Sequence, residues 1–278
     1  MVRLIGDQVV DRASGEQALD ERELTLVNLC VDGPHIWEDD PALREQHYQN
    51  ALRYLHVAEV LGAKTIRIDA GVRADNFTTE QFDGIVQRYQ EYAQRAHDNG
   101  YKVGPENHWG AELVPANMKN ICEAVDHPGF GVLLHFRGTE GDAVMAPWAM
   151  HTHIAWEMTE QHLVPSMTML RDSGYQGCWS VEHHTGNNEY NEVAIQLAKV
   201  QDVLGRWAAR SPLHDPTLPL SAASLMLSFK TMFDVRRTER LDRAAGASGF
   251  ASKQDGPEKL IAIIHETLKS DAETDETL

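Results

Sequence analysis

The chain has 278 residues, 42% of them hydrophobic, which is enough for one large α/β domain or two small ones. Its formal net charge is −17, with 25 Lys and Arg against 42 Asp and Glu. That balance excludes the clustered basic surface that DNA, RNA or an acidic phospholipid layer requires, and no apolar run is long enough to span a membrane.

The N-terminal stretch MVRLIGDQVVDRASGEQ has no signal-peptide apolar core. Cys30, Cys122 and Cys178 are widely spaced and odd in number. They read as reduced core thiols of a cytoplasmic protein, not as a disulfide framework.

From residue 24 strand-like and helix-like segments alternate. LTLVNLCV (24–31) is rich in β-formers. A helix follows, with Asp40 as N-cap and Pro41 at its first position. TIRIDAG (65–71) is the next strand. The helix after it opens with the capping box Thr78-x-x-Gln81 and stops at Asn99-Gly100. Then come the strand KVGPENH, the helix PANMKNICEAVDH and the strand GVLLHF. The order continues with HTHIAW, the helix TEQHLVPSMTMLRDSG, the strand CWSVEHH and the helix YNEVAIQLAKVQDVLGRWAAR. Beyond Arg210 a Pro-rich linker leads to LMLSFKTMFDVRRTERLDRAA, which reads as an amphipathic helix, then a Gly-rich loop, a short helix and an acidic tail. The chain thus divides into a short N-terminal segment (1–20), a βα region (21–210) and a C-terminal extension (211–278).

Repeated βα alternation implies parallel strands covered by helices. Six strands can be counted between residues 24 and 184. That satisfies an open doubly wound sheet and falls short of the eight of a TIM barrel. Neither GxGxxG after the first strand nor GxxxxGK[ST] is present, so no nucleotide site is indicated.

Residues two apart in a strand share a face. Arg67 and Asp69, Glu106 and His108, His151 and His153, and Glu182 and His184 therefore pair up at strand ends, and His135 ends VLLHF. Each alone is an ordinary polar residue, and Arg67 with Asp69 makes an ordinary buried ion pair. The succession is what matters. Ligands bind at the C-terminal ends of parallel strands, and burying such groups unpaired costs several kcal/mol. A divalent metal held by two carboxylates and two imidazoles removes that cost.

The pieces LGAKTIRIDAG, GYKVGPENHWG, GFGVLLHFRG, MHTHIAW and GYQGCWSVEHH lie in order over about 190 residues. This set resembles the xylose isomerase-like TIM-barrel family, also called the sugar phosphate isomerase/epimerase superfamily. The resemblance implies a (β/α)8 TIM barrel and one divalent metal, with Glu106, His135, His153 and Glu182 as ligands. Mn²⁺ is the expected ion, and Fe²⁺, Co²⁺, Ni²⁺ or Zn²⁺ are alternatives. Three departures stand out. His135 replaces the family's aspartate, so the ligands carry the charge of two carboxylates instead of three, and the added imidazole favours Mn²⁺ through Zn²⁺ over Mg²⁺. Ala155 and Trp156 stand where the family often has lysine and aspartate. The family's first two strands should also precede LTLVNLCV, where only about 20 residues lie. Either the barrel is incomplete at its N-terminus, or residues 211–278 fill the gap, SLMLSFKTMF being the only apolar run able to try, or a partner subunit covers it.

The resemblance implies a metal-dependent sugar isomerase or epimerase working through an enediolate, with Glu106 and Glu182 as the catalytic proton-transfer pair. His108, Arg67 and His184 would bind hydroxyls, and Trp109 or Trp37, with His35, would meet the sugar face. The alternatives are a lyase on the same barrel, either a dehydratase or a C-glycoside-cleaving catalytic subunit, and a non-catalytic relative. Expected partners are a small carbohydrate and a second subunit, as a homo-oligomer or a different chain.

Overall fold

The computed structural model describes residues 2–5, 8–11, 25–183, 189–209 and 226–230. His184, the linker before residue 226 and everything after residue 230 lie outside the described residues. An antiparallel pair, β1 (Val2–Ile5) and β2 (Gln8–Asp11), comes first. The parallel strands then follow: β3 (Thr25–Cys30), β4 (Thr65–Arg67), β5 (Lys102–Gly104), β6 (Val132–His135), β7 (Ala149–Ala155) and β8 (Trp179–Glu182).

β3, β4 and β5 pair in one sheet and β6, β7 and β8 in another, all parallel. Two parallel bridges, Val103 with Phe130 and Glu106 with Leu133, join β5 to the β6 side. Gly104 permits this approach. A Cβ there would meet the Gly131 carbonyl oxygen at 1.7 Å, so no larger residue fits.

β9 (Met226–Lys230) pairs in parallel with the other edge of β3. The amphipathic helix expected over this segment is therefore replaced, at least from 226 to 230, by a strand. A short apolar run fits either period, and the backbone groups on the open edge of β3 require partners. Among the described residues the wall runs β9-β3-β4-β5-β6-β7-β8, with no strand joining β8 to β9.

The helices begin and end for legible reasons. α1 (Pro41–Val60) is capped by the Asp40 carboxylate, which accepts from the Ala42 N–H. α2 (Thr79–Asp98) has both halves of the Thr78/Gln81 capping box. α3 (Pro115–Val125) starts on a proline, which needs no N–H there. After the short α4 (Glu140–Met145), the expected single helix 159–174 is split into α5 (Trp156–Gln161) and α6 (Leu163–Asp172). Pro165 is the reason, since its ring cannot continue a helix across the Gln161 carbonyl. α7 is Glu189–Ala209.

Strand alternation sorts side chains to two faces. Ile66, Ile68, Val103, Val132, Leu134 and Ile154 join the core with Leu55, Ile85, Tyr89, Met118, Ile121, Met167 and Leu170 of the helices. Full burial of each such aliphatic side chain contributes about 1.5–3 kcal/mol. The Tyr89 hydroxyl donates to the Ile68 carbonyl at 2.8 Å and ties α2 to the end of β4. The opposite face carries a separate small cluster of Cys30, Leu133 and Met150, and with it the buried polar residues.

β4 and β5 are shorter than the expected TIRIDAG and KVGPENH. After Arg67 the chain turns to bond the loop following β3, with the Ile36 and Trp37 N–H groups donating to the Asp69 and Ala70 carbonyls. Pro105 has no N–H and stops β5. Its carbonyl still accepts from Leu133, which keeps Glu106 beside β6.

Candidate metal centre

Glu106, His135, His153 and Glu182 come from the ends of four successive strands and meet. One ligand atom from each lies within 4.8 Å of all the others, and all four residues are buried. Glu106 Oε1 is 3.0 Å from His135 Nδ1 and 2.8 Å from His153 Nδ1. A Glu182 carboxylate oxygen lies 3.4 and 3.5 Å from the same two nitrogens. β6 and β7 set this directly, because His135 and His153 are register partners. Asn107 fixes the fourth side. Its amide donates to the His135 carbonyl at 2.9 Å and accepts from the His135 N–H at 2.7 Å, standing in for a ladder pair.

The charges explain the protonation. Burial alone would raise the Glu106 carboxyl. The His153 imidazole, with hydrogen bonds from both histidines, outweighs it and holds the carboxyl well below the usual range. Burial alone would lower His153, and the facing Glu106 carboxylate instead holds it well above its usual value. Two buried carboxylates thus draw positive charge to one point. The donor set, two oxygens and two imidazole nitrogens converging away from solvent, fits a divalent first-row ion.

A fully buried cation lies behind the cluster. Arg67 bonds Asp69 closely, reaches Asp32 at 3.0 Å and lies 3.7 Å from Glu106 Oε2. Asp69 also accepts from the Glu106 N–H at 3.1 Å and from Trp109 Nε1 at 3.4 Å. The guanidinium sits among carboxylates, with its two terminal nitrogens bonded to Asp69 and Asp32 and its Nε, which makes no hydrogen bond, facing Glu106.

The other expected contacts divide in two. His108 Nδ1 is 3.2 Å from Glu106 Oε2 and the ring lines the cavity. Burial pushes its pKa down, so it is neutral at pH 7. The Trp109 ring packs against His35 at 5.3 Å and His108 at 6.2 Å, which brings these three together. Trp37 turns elsewhere: its indole bonds Asp39 and lies under the Arg44 guanidinium, 3.7 Å away. His151 faces Ser180 Oγ at 2.8 Å, and burial lowers its pKa to about 3.

The cavity at the cluster has a volume of about 460 Å³ and is lined by Glu106, His108, His135, Phe136, Arg137, Ala155, Glu157 and Met158. Sequence reasoning missed Arg137 and Glu157. Their position directly after strands ending in His135 and Ala155 was the available signal. The buried Asp142 carboxylate accepts from the Arg137 and Gly138 N–H groups and pins this loop.

Glu112 supports the wall from outside the cluster. It is fully buried, and one oxygen accepts from the Ala70 N–H at 2.7 Å. Burial, helped by nearby Asp69, pushes its carboxyl well above the usual range. The folded state therefore holds this proton where the unfolded chain has lost it. Stability from this residue falls as pH rises from the ordinary carboxylate range toward the raised value. Glu112→Gln removes that loss. Its melting temperature should match wild type near pH 4 and exceed it increasingly as pH rises above the ordinary carboxylate range. A difference that does not vary with pH would contradict this account.

Parallel strands clad in helices, with acids and imidazoles converging near their C-terminal ends, give a barrel-like fold with a cluster that could hold a metal ion. The comparisons agree. The model of the xylose isomerase-like TIM barrel family matches residues 7–137. The fold is that of a TIM barrel, here open among the described residues. The chain is similar to a xylose isomerase-like TIM barrel protein from Mycobacterium smegmatis in complex with magnesium, at 15% identity and TM-score 0.55, over 67% of this chain and 76% of that one. It is similar to apo 3-keto-D-glucoside 4-epimerase from E. coli, at 17% identity and TM-score 0.54, over 67% and 82%. A third likeness is the probable 3-DHS dehydratase of petrobactin synthesis from Bacillus anthracis, at 15% identity and TM-score 0.53, over 68% and 81%. No curated protein sequence matches significantly. Among the described residues no helix is long and apolar enough to cross a membrane, and all three cysteines are free.

Proposed function

We propose that this protein is a divalent-metal-dependent epimerase or isomerase of a small, unphosphorylated sugar or keto-sugar. The convergence of Glu106, His135, His153 and Glu182 in one buried cluster carries the reading. Those four residues would hold the ion, with Mn²⁺ the best match to two carboxylates and two imidazoles. A bound divalent ion supplies Lewis acidity, which polarises a carbonyl and acidifies the C–H beside it.

The chain's own groups do the rest. Glu106 lies just beyond β5 and Glu182 ends β8, with β6 and β7 between them. They approach a substrate from different sides. One takes the proton, giving an enediolate, and the other returns one on the opposite face or at the next carbon. Asp69 and Asn107 hold the backbone on which Glu106 and His135 sit. Neutral His108 offers a hydrogen bond to a substrate hydroxyl. The cavity volume of about 460 Å³ suits a single sugar ring. The epimerase likeness supports this reading.

The test is solvent deuterium uptake into a panel of ketoses and keto-glycosides by metal-loaded protein. Uptake at the carbon beside the carbonyl without elimination is expected. Loss of a leaving group would move the assignment to a lyase, and no exchange with any member would remove the enolisation mechanism.

Metal removal gives a second check. Protein dialysed against a chelator should melt lower than protein given Mn²⁺. At an ion concentration of 100 times Kd the stabilisation is about 2.7 kcal/mol. An unchanged melting temperature across Mn²⁺, Co²⁺, Zn²⁺ and Mg²⁺ would remove the metal.

A further inference from the structure

His153 has two ring nitrogens, and they face different worlds. Nδ1 lies 2.8 Å from Glu106 Oε1 and points into the cluster. An imidazole that ligates through Nδ1 carries its proton on Nε2. His153 is 1% exposed, so that N–H cannot turn to water and needs a protein acceptor. Among the described residues the group within reach is Cys30 Sγ, 3.9 Å from Nε2.

The sulfur is itself held as an acceptor. Asn28 Nδ2 donates to it at 2.9 Å, and the Thr65 hydroxyl lies 2.7 Å from Asn28 Oδ1. Thr65, Asn28 and Cys30 are all buried. They lead from the start of β4 through β3 to the back of His153. Metal-binding histidines are commonly oriented by a carboxylate or backbone carbonyl on the far nitrogen. Here the surroundings already hold Asp32, Asp69, Glu106 and Glu182 against Arg67, and cysteine supplies an acceptor without a further carboxylate.

We propose that Cys30 is a positioning residue for the metal: its sulfur, aimed by Asn28, accepts from His153 Nε2 and fixes the tautomer and ring orientation that present Nδ1 to the ion. This rests on the metal-dependent reading above.

The experiment uses full-length protein and Co²⁺, comparing wild type with Cys30→Ser, Cys30→Val and Cys30→Ala. Serine keeps an acceptor. Valine keeps the volume without one. Affinity is read by chelator competition and geometry by the visible absorption of bound Co²⁺, with circular dichroism verifying the fold. Cys30→Val and Cys30→Ala should bind Co²⁺ about tenfold or more weakly, with a changed absorption band. Cys30→Ser should stay close to wild type in both. If Cys30→Ala fails to fold, the serine–valine pair decides. Cys30→Val binding as tightly as Cys30→Ser, with the same spectrum, would overturn the role of Cys30 alone. Wild-type protein that takes up no Co²⁺ would overturn the metal reading and this inference together.

Discussion

Glu106→Gln and Glu182→Gln should each lower turnover by about 10³-fold or more while the protein still folds. Proton transfer by a placed carboxylate contributes roughly 10²–10⁴-fold to rate, and each change also removes a charged donor from the proposed ion. The amide is nearly isosteric, and Arg67 keeps Asp69 and Asp32 as partners when Glu106 is neutralised. The measurement is kcat at saturating Mn²⁺ on whichever substrate exchanges deuterium, beside far-ultraviolet circular dichroism. Retention of more than a tenth of the activity by both variants would take the proton-transfer role away from this pair.

Arg67→Met should cost about 3–5 kcal/mol of folding stability, the penalty for removing one partner of a buried charge network. The side chain is buried among Asp32, Asp69 and Glu106, so its loss strands the buried Asp69 and Glu106 carboxylates without their cation. Arg67→Lys should recover only part of this, because an ammonium lacks the planar fork that serves two carboxylates at once. Denaturant unfolding reads the effect. A loss below about 1 kcal/mol for Arg67→Met would show that the carboxylates find other compensation. The double change Arg67→Met with Asp69→Asn should be milder than the sum of the two single changes.

The convergence of Glu106, His135, His153 and Glu182 was legible because a strand leaves few choices. Apolar alternation fixes the phase, the phase assigns faces, and parallel strands send their last residues to one end. VLLH and HTHIA therefore place His135 and His153 side by side. Helix starts were legible for a similar local reason, as at Asp40-Pro41 and Thr78-x-x-Gln81.

The rest depended on partners far apart in the chain. Cys30 and His153 are separated by 123 residues, and nothing near either one signals the contact. Asn107 sits between Glu106 and His108 on the opposite phase, so alternation alone assigns it to the packing side. In fact Pro105 breaks the strand and frees its amide to clamp His135. Trp37 follows β3 in the chain and was expected near a sugar, yet Arg44 and Asp39, a few residues on, draw its indole toward α1. The segment 226–230 reads equally as helix or strand until the open edge of β3 is known.

The joint between the two sheets has a mechanical meaning. Two bridges, the Asn107 amide and a few side-chain bonds tie β5 to β6, in place of a continuous ladder. Glu106 stands on one side of that seam, and His135, His153 and Glu182 stand on the other. A cation gripped by all four would act as a rivet through that seam. Tightness of closure and competence for chemistry would then rise and fall together with ion supply.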